Sequence, residues 1–265
     1  MALAKTKAKQ VIDRFQIDSP EILSHLEEIC WELGAPVRYV PMSGADARLT
    51  MTGETGIISI AASDKGKPKS RFSIAHELGH FLLHKDISSA LICGQNEMRC
   101  WFSKQENYAR ESDANEFSSE LLMPDFLVTP TIKDKRPNFS LIDGISETFG
   151  ASTTAAAIRF TALTKEAVAI VAYNKSNGYL WSARSKLFIE QNYFIPSGKL
   201  SSYTLAHDAV NSSDSGTMQS IDATAWLNLP SWLAEETIKE QTRYSREYDF
   251  GISLLWLDSG KLIRN

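Results

Sequence analysis

The sequence predicts a mixed α+β fold, with helices and short strands up to about residue 165 and a smaller, strand-rich α+β segment after it. Apolar residues recur at helical spacing in four segments, 19–33, 71–84, 106–123 and 138–163. Strand-like patterns replace this spacing near residue 165. The chain has 265 residues, of which 43% are hydrophobic, enough for one large domain or two modest ones.

Proline and glycine residues mark the ends of the first elements. Residues 3–15 are predicted to form a short helix. Ser19 suits the N-cap of a second helix, Pro20 its first residue, and Gly34 its end. The run at 36–40 then indicates a first strand.

Residues 49–60 indicate a β-hairpin, because their strand-forming residues are interrupted by Gly53 and Gly56. The second arm, 56–60, comes shortly before the most informative helix of the chain. A strand in this position is predicted either to form the sheet edge on which an extended peptide pairs, or to be an ordinary sheet strand.

The predicted helix at 71–84 contains the motif H-E-x-x-H, formed by His76, Glu77 and His80. Because four residues make slightly more than one helical turn, the two histidines project from the same face. Two imidazoles at this spacing can hold one zinc ion, while Glu77, rotated by about 100°, is placed to act as a base on water. The motif therefore supplies two ligands and a base, and the third ligand must come from elsewhere.

His84 continues the same helical face but is not predicted to be the third ligand. On a straight helix His76 and His84 lie roughly 12 Å apart along the axis, too far for one ion to bind both. We expect His84 to belong to the last helical turn, where a donor side chain suits the helix dipole. His25 and His207 have no local context that indicates a ligand.

A carboxylate from the predicted helix at 106–123 completes the set. Its acidic residues are Glu106, Glu111, Asp113, Glu116 and Glu120. Glu111 is the best choice by helical face, because Phe117 and the leucines that follow it point into the core. Asn115, one turn after Glu111, is placed to hydrogen-bond a metal-binding histidine. Pro124 ends this helix.

The segment 138–163 has the spacing of a helix-turn-helix, with Gly150 in the turn. A helix that reads DNA needs several donors to bases and phosphates, and the second helix here has one basic residue, Arg159. We therefore favour a packing element. The alternative class is a DNA- or protein-binding regulator, or an antitoxin-like protein, whose metal site is structural.

Charge, hydropathy and cysteine usage limit the function classes further. The net charge of −4 gives no general reason to expect direct nucleic-acid binding. No run approaches the ~20 apolar residues that span a bilayer, so no membrane partner is expected. The three cysteines, Cys30, Cys93 and Cys100, lack C-x-x-C spacing, which favours free thiols in a reducing cytoplasm. Cys93 and Cys100 are either ordinary thiols or a redox switch between the two ligand helices.

Two segments, 71–84 and 111–124, together resemble the ImmA/IrrE family of metallopeptidases. That family has an H-E-x-x-H helix followed by a helix that ends in L-M-P, and the resemblance covers about residues 20–165. It implies a zincin-like minimal peptidase domain, gluzincin-like in its ligand set, with a small antiparallel-edged sheet plus helices. It also implies a catalytic Glu77 and Zn²⁺, or another divalent ion such as Mn²⁺, on His76, His80 and Glu111.

The same resemblance implies a protein substrate, a helix-turn-helix transcriptional repressor that is cut to relieve repression in stress response or mobile-element control. We expect a peptidase domain at 1–165, including the segment 138–163, and a C-terminal domain at 166–265 with a sensor or substrate-binding role. A second electrophile is usual in such enzymes. Tyr108 and Arg71 are the residues we expect for it.

Overall fold

The computed structural model describes residues 2–42, 44–84, 91–93, 106–212, 216–231 and 235–258. The chain forms two compact units, one comprising Met1–Val128 and Ser146–Ser152, the other Thr129–Ile145 and Thr153–Asn265. Both contain helices and a sheet, which confirms the α+β class. The expected division into domains 1–165 and 166–265 stays a prediction, since compactness does not test which segments act independently.

The elements follow one another along the chain with short connections. The helices are α1 (Ala2–Arg14), α2 (Leu26–Glu32), α3 (Pro68–Leu83), α4 (Glu106–Leu122), α5 (Asp125–Ile132), α6 (Phe139–Phe149), α7 (Thr153–Leu163), α8 (Lys186–Glu190) and α9 (Leu205–Ser212). The strands are β1 (Val37–Val40), β2 (Ala47–Thr52), β3 (Thr55–Ala61), β4 (Leu91–Cys93), β5 (Ala167–Asn174), β6 (Gly178–Arg184), β7 (Gln219–Asp222), β8 (Thr237–Ser245) and β9 (Phe250–Leu257). Among the described residues, no helix is long and apolar enough to cross a membrane.

The first unit contains a four-stranded sheet with the order β1-β3-β2-β4. Strand β3 pairs in parallel with β1 and antiparallel with β2, so Ile58 lies between Val37 and Leu49. The expectation that residues 56–60 form a peptide-pairing edge is therefore wrong. Both sides of β3 are already hydrogen-bonded to neighbouring strands, and an interior strand has no free backbone groups to offer a peptide.

Helix α3 packs directly on this sheet. The fully buried side chains of Leu49, Ile58 and Ile60 form a core with residues of α3 such as Leu78. At Gly56 the approach is so close that a Cβ atom would lie 2.9 Å from the ring of Phe81. One side of α3 is thus fixed on the sheet, while α4 packs against the same helix.

The second unit is built on a five-stranded antiparallel sheet with the order β6-β5-β9-β8-β7. The predicted strands at 167–173 and 251–257 are its central pair, β5 and β9. Every residue of Ala167–Tyr173 is fully buried. This agrees with the continuous apolar run, which is expected of a strand covered on both faces.

The helix-turn-helix-like segment consists of α6 and α7, and Gly150 between them has a φ of +58°. Such a left-handed conformation favours glycine and explains its use in this turn. Helix α7 packs on β5 and β6. Its basic residue, Arg159, is only 3% exposed and therefore is not presented to DNA. This burial agrees with a packing role for α7.

Candidate metal centre

The helix that carries H-E-x-x-H begins at Pro68, just after a polar loop. Proline suits this position, because its missing N–H is one that the first helical turn leaves unsatisfied anyway. The Nζ atom of Lys69 lies 2.6 Å from Asp46 Oδ1 and 3.4 Å from Asp64 Oδ2. These ion pairs connect the first turn of α3 to the segments on either side of the β2–β3 hairpin.

The side chains of His76, His80 and Glu111 meet between α3 and α4. The Nε2 atoms of the two histidines are 3.0 Å apart. The Glu111 carboxylate reaches both, with Oε2 at 3.1 Å from His76 Nε2 and Oε1 at 3.2 Å from His80 Nε2. The structure therefore brings together the three residues that the sequence predicts as ligands.

The arrangement of these donor atoms fits a divalent metal ion. Two neutral imidazoles that carry their protons on Nδ1 face each other with two lone pairs, and lone pairs cannot hydrogen-bond each other. A tetrahedral zinc ion with bonds of about 2.1 Å spaces its ligand atoms about 3.4 Å apart. The separations of 3.0 to 3.2 Å observed here are close to that spacing. A His₂Glu set also leaves a fourth position open for water or substrate.

Asn115 fixes the orientation of the first histidine. Its Oδ1 atom lies 2.9 Å from Nδ1 of His76, and its side chain is buried with 1% exposure. Because a carbonyl oxygen only accepts, the Nδ1–H of His76 is the donor, and its Nε2 keeps a lone pair directed towards Glu111. This is the contact expected of a residue one turn after Glu111.

The protonation states of the site suit metal binding. Burial acts to raise the pKa of the Glu111 carboxyl, but its hydrogen bonds with His76 and His80 outweigh burial and hold that pKa well below its usual range. Burial lowers the pKa of His80 below its ordinary value. At neutral pH the centre therefore contains a carboxylate and a neutral imidazole, the forms that bind a cation.

Glu77 is fully buried, at 0% exposure, on the helix that carries both histidines. Burying a carboxylate is costly, so a glutamate at this position is poorly explained by solubility or helix propensity. A buried acid adjacent to two converging histidines is instead typical of a reaction centre.

Glycine at position 79, between the two histidines, lets the ligand helices approach closely. A Cβ atom there would lie 3.0 Å from the ring of Phe117 and 3.2 Å from the Cα of Ala114. Ala114 belongs to α4 and is the neighbour of Asn115 in the chain. The short distance between α3 and α4, on which the position of Glu111 depends, therefore requires glycine at this position.

We expect Gly79→Ala to lower both the free energy of unfolding and the zinc affinity. Overpacking costs about 1–3 kcal/mol, which exceeds the gain of about 1 kcal/mol that alanine brings to a helix interior. Gly144→Ala is the matched control, because a Cβ atom on that helical glycine would meet no described atom within 4 Å and should only add stability. Denaturant unfolding and zinc titration of both variants measure this, and an unchanged zinc affinity in Gly79→Ala would contradict it.

The remaining predicted site residues lie elsewhere or outside the described residues. Arg71 donates from Nη1 to the Phe149 carbonyl at 3.1 Å and from Nη2 to the Leu23 carbonyl at 3.3 Å. Its role as a second electrophile stays a prediction, which requires the side chain to leave these contacts. The Tyr108 side chain lies outside the described residues.

The cysteine switch also stays a prediction. The Cys93 side chain and all of Cys100 lie outside the described residues. Cys30 is buried, and burial raises the pKa of its thiol to about 12, so it is an unreactive core residue.

His84 makes a contact that the sequence reasoning missed. Its Nδ1 atom lies 3.0 Å from Nδ1 of His80, on the side of that ring away from Glu111. Burial, followed by the nearby His80, lowers the pKa of His84 to about 4. The spacing of four residues is the signal that could have found this contact, because it places neighbouring rings within reach of each other as well as of an ion. The expectation that His84 is not a third ligand agrees with this position.

Comparison with known proteins places the site inside a described family. Residues 30–161 match the family model of the IrrE N-terminal-like domain, Peptidase_M78. This segment contains both ligand helices.

A solved structure, a Mycobacterium tuberculosis transcriptional regulator, is similar over 98% of this chain and 90% of that one, with a TM-score of 0.65. At 16% sequence identity this similarity shows the fold alone. No curated protein matches the chain significantly.

Proposed function

Because residues 30–161 belong to the Peptidase_M78 family of IrrE N-terminal-like domains, we propose that this protein is a zinc-dependent endopeptidase. The observation that carries the proposal is the convergence of His76, His80 and Glu111 within hydrogen-bonding distance of one another. The buried Glu77 on the same helix supplies the acid–base group that such a reaction needs.

Each side chain has a distinct role in this proposal. A bound zinc ion polarises the scissile carbonyl and lowers the pKa of water to about 7. His76, His80 and Glu111 hold the ion, and Asn115 keeps His76 in the ligating tautomer. Glu77 accepts the proton of the attacking water and then delivers it to the leaving amine. Mn²⁺ is an alternative ion, since a His₂Glu set binds several divalent metals.

The proposed substrate is a helix-turn-helix transcriptional repressor, cut once to relieve repression in stress response or mobile-element control. The support for this substrate class is the ImmA/IrrE resemblance, together with the solved neighbour described as a transcriptional regulator. Cys30 as a buried free thiol fits the proposed reducing cytoplasm.

The test is co-expression of the chain with helix-turn-helix proteins encoded near its gene, followed by incubation of purified pairs with zinc. We expect a single cleavage of one such protein, detected as two fragments by intact mass, and none with the Glu77→Gln variant. Fragments that persist with Glu77→Gln would point to a contaminating protease and contradict the proposal.

A regulator that binds DNA is the second candidate, favoured by the description of the solved neighbour. The burial of Arg159 in α7 counts against it. The two classes separate in one experiment, because DNA binding weakens steeply with salt whereas repressor cleavage depends on Glu77. Salt-dependent DNA binding without cleavage of any partner would favour the regulator.

A further inference from the structure

Each of the two histidines has a second ring nitrogen that faces away from the metal centre. In His76 this Nδ1 atom meets Asn115 Oδ1 at 2.9 Å. In His80 it meets another imidazole, with Nδ1 of His84 at 3.0 Å. The two contacts are equivalent in position, since both lie on the side of the ring opposite the Nε2 atom that approaches Glu111.

Metal ligation determines the direction of the second hydrogen bond. A neutral histidine that binds a metal through Nε2 carries its proton on Nδ1. The Nδ1–H of His80 is therefore the donor, and Nδ1 of His84 accepts with its lone pair. His84 must then carry its own proton on Nε2.

The backbone at His84 explains how its ring reaches back by one turn. His84 caps α3, with φ −124° and ψ 46°, outside the helical region. Its backbone N–H still donates to the His80 carbonyl at 2.9 Å. The same two residues are therefore joined twice, once through the backbone and once through their rings, whose centroids are 5.2 Å apart.

We propose that His84 is a positioning residue of the metal site, which accepts a hydrogen bond from His80 and fixes the tautomer and ring orientation of that ligand. The inference rests on the proposed zinc site. Outer partners of metal-binding histidines typically contribute about 10–100-fold to metal affinity. His84 thus has the same task for His80 that Asn115 has for His76.

Two substitutions separate a positioning role from simple packing. In His84→Asn, the Oδ1 atom is bonded to Cγ, as Nδ1 is in histidine, and can accept the same hydrogen bond. In His84→Gln, the amide lies one carbon further out, near the position of Nε2, and leaves the His80 N–H without its acceptor. Both replacements are polar amides, so the pair differs mainly in where the acceptor lies.

Zinc affinity is measured by competition with a chromogenic chelator, and folding by thermal unfolding of the zinc-free proteins. We expect His84→Gln to bind zinc about 10–100-fold more weakly than the wild type, and His84→Asn to remain close to it. His25→Gln, at an exposed histidine outside the site, should change nothing. Proton NMR of the zinc-loaded protein should show a slowly exchanging Nδ1–H signal of His80 in the wild type and in His84→Asn, but not in His84→Gln.

The outcomes separate this inference from the proposal on which it rests. Equal zinc affinity in the wild type and His84→Gln would overturn the positioning role alone. Equal weakening in His84→Asn and His84→Gln would also overturn it, because the acceptor would then not matter. A wild type that binds no zinc would overturn the proposed metal site itself, and this inference with it.

Discussion

Glu77→Gln is expected to retain zinc at the wild-type level while lowering the rate of peptide cleavage by about 10²–10⁴-fold, the usual contribution of a general base. Glutamine keeps the size of the side chain but cannot accept a proton from water at neutral pH. The side chain is fully buried, so an isosteric amide preserves its packing in a way that alanine would not.

The measurement compares zinc content by elemental analysis with single-turnover cleavage of the repressor identified by co-expression. Glu32→Gln is the control, because Glu32 is exposed on α2. Loss of zinc together with activity would show that Glu77 has a structural role at the metal site. Full activity of Glu77→Gln would remove Glu77 from the mechanism.

Glu111→Ala is expected to reduce zinc content from about one ion per chain to almost none, since a catalytic zinc site requires three protein ligands. The substitution removes both oxygens that approach His76 and His80, and it removes the negative charge that offsets the charge of the ion. The loss should exceed the about 10–100-fold effect of deleting an outer partner. His76→Ala should behave in the same way.

Two measurements check this result, zinc content after dialysis and the rise in unfolding temperature on adding zinc. A ligand that binds only the folded state stabilises it by about 2.7 kcal/mol at one hundred times its Kd, so the wild type should show a clear rise and Glu111→Ala almost none. Glu32→Ala is the matched control on an exposed helix position. Undiminished zinc binding in Glu111→Ala would refute the ligand assignment.

The ligand set could be predicted from the sequence because its geometry is mostly local. His76 and His80 share a helical face by their spacing alone, and so do Glu111 and Asn115. What spacing cannot give is the distance between two helices. That distance depends on Gly79 against Ala114 and Phe117, residues 35 to 38 positions apart in the chain.

Two expectations depended on non-local structure and fared differently. Residues 56–60 were expected either at a sheet edge or as an ordinary strand, and pairing with β1 and β2 places them in the interior. The strand order β6-β5-β9-β8-β7 of the second unit was likewise inaccessible, although β5 and β9 were recognised as strands. Hydrophobic pattern predicts that a strand forms, but not which strand lies beside it.

The sequence by itself determined the mixed α+β class, the two ligand helices and the residue types that face each other across them. Only the tertiary structure decided that Glu111 meets both Nε2 atoms, that α3 and α4 touch at Gly79, and that His84 turns back to His80. The physical reason is that helical periodicity fixes the direction of a side chain relative to its own axis. Packing between helices, and the departure of His84 from helical geometry, fix which atoms then come within hydrogen-bonding distance.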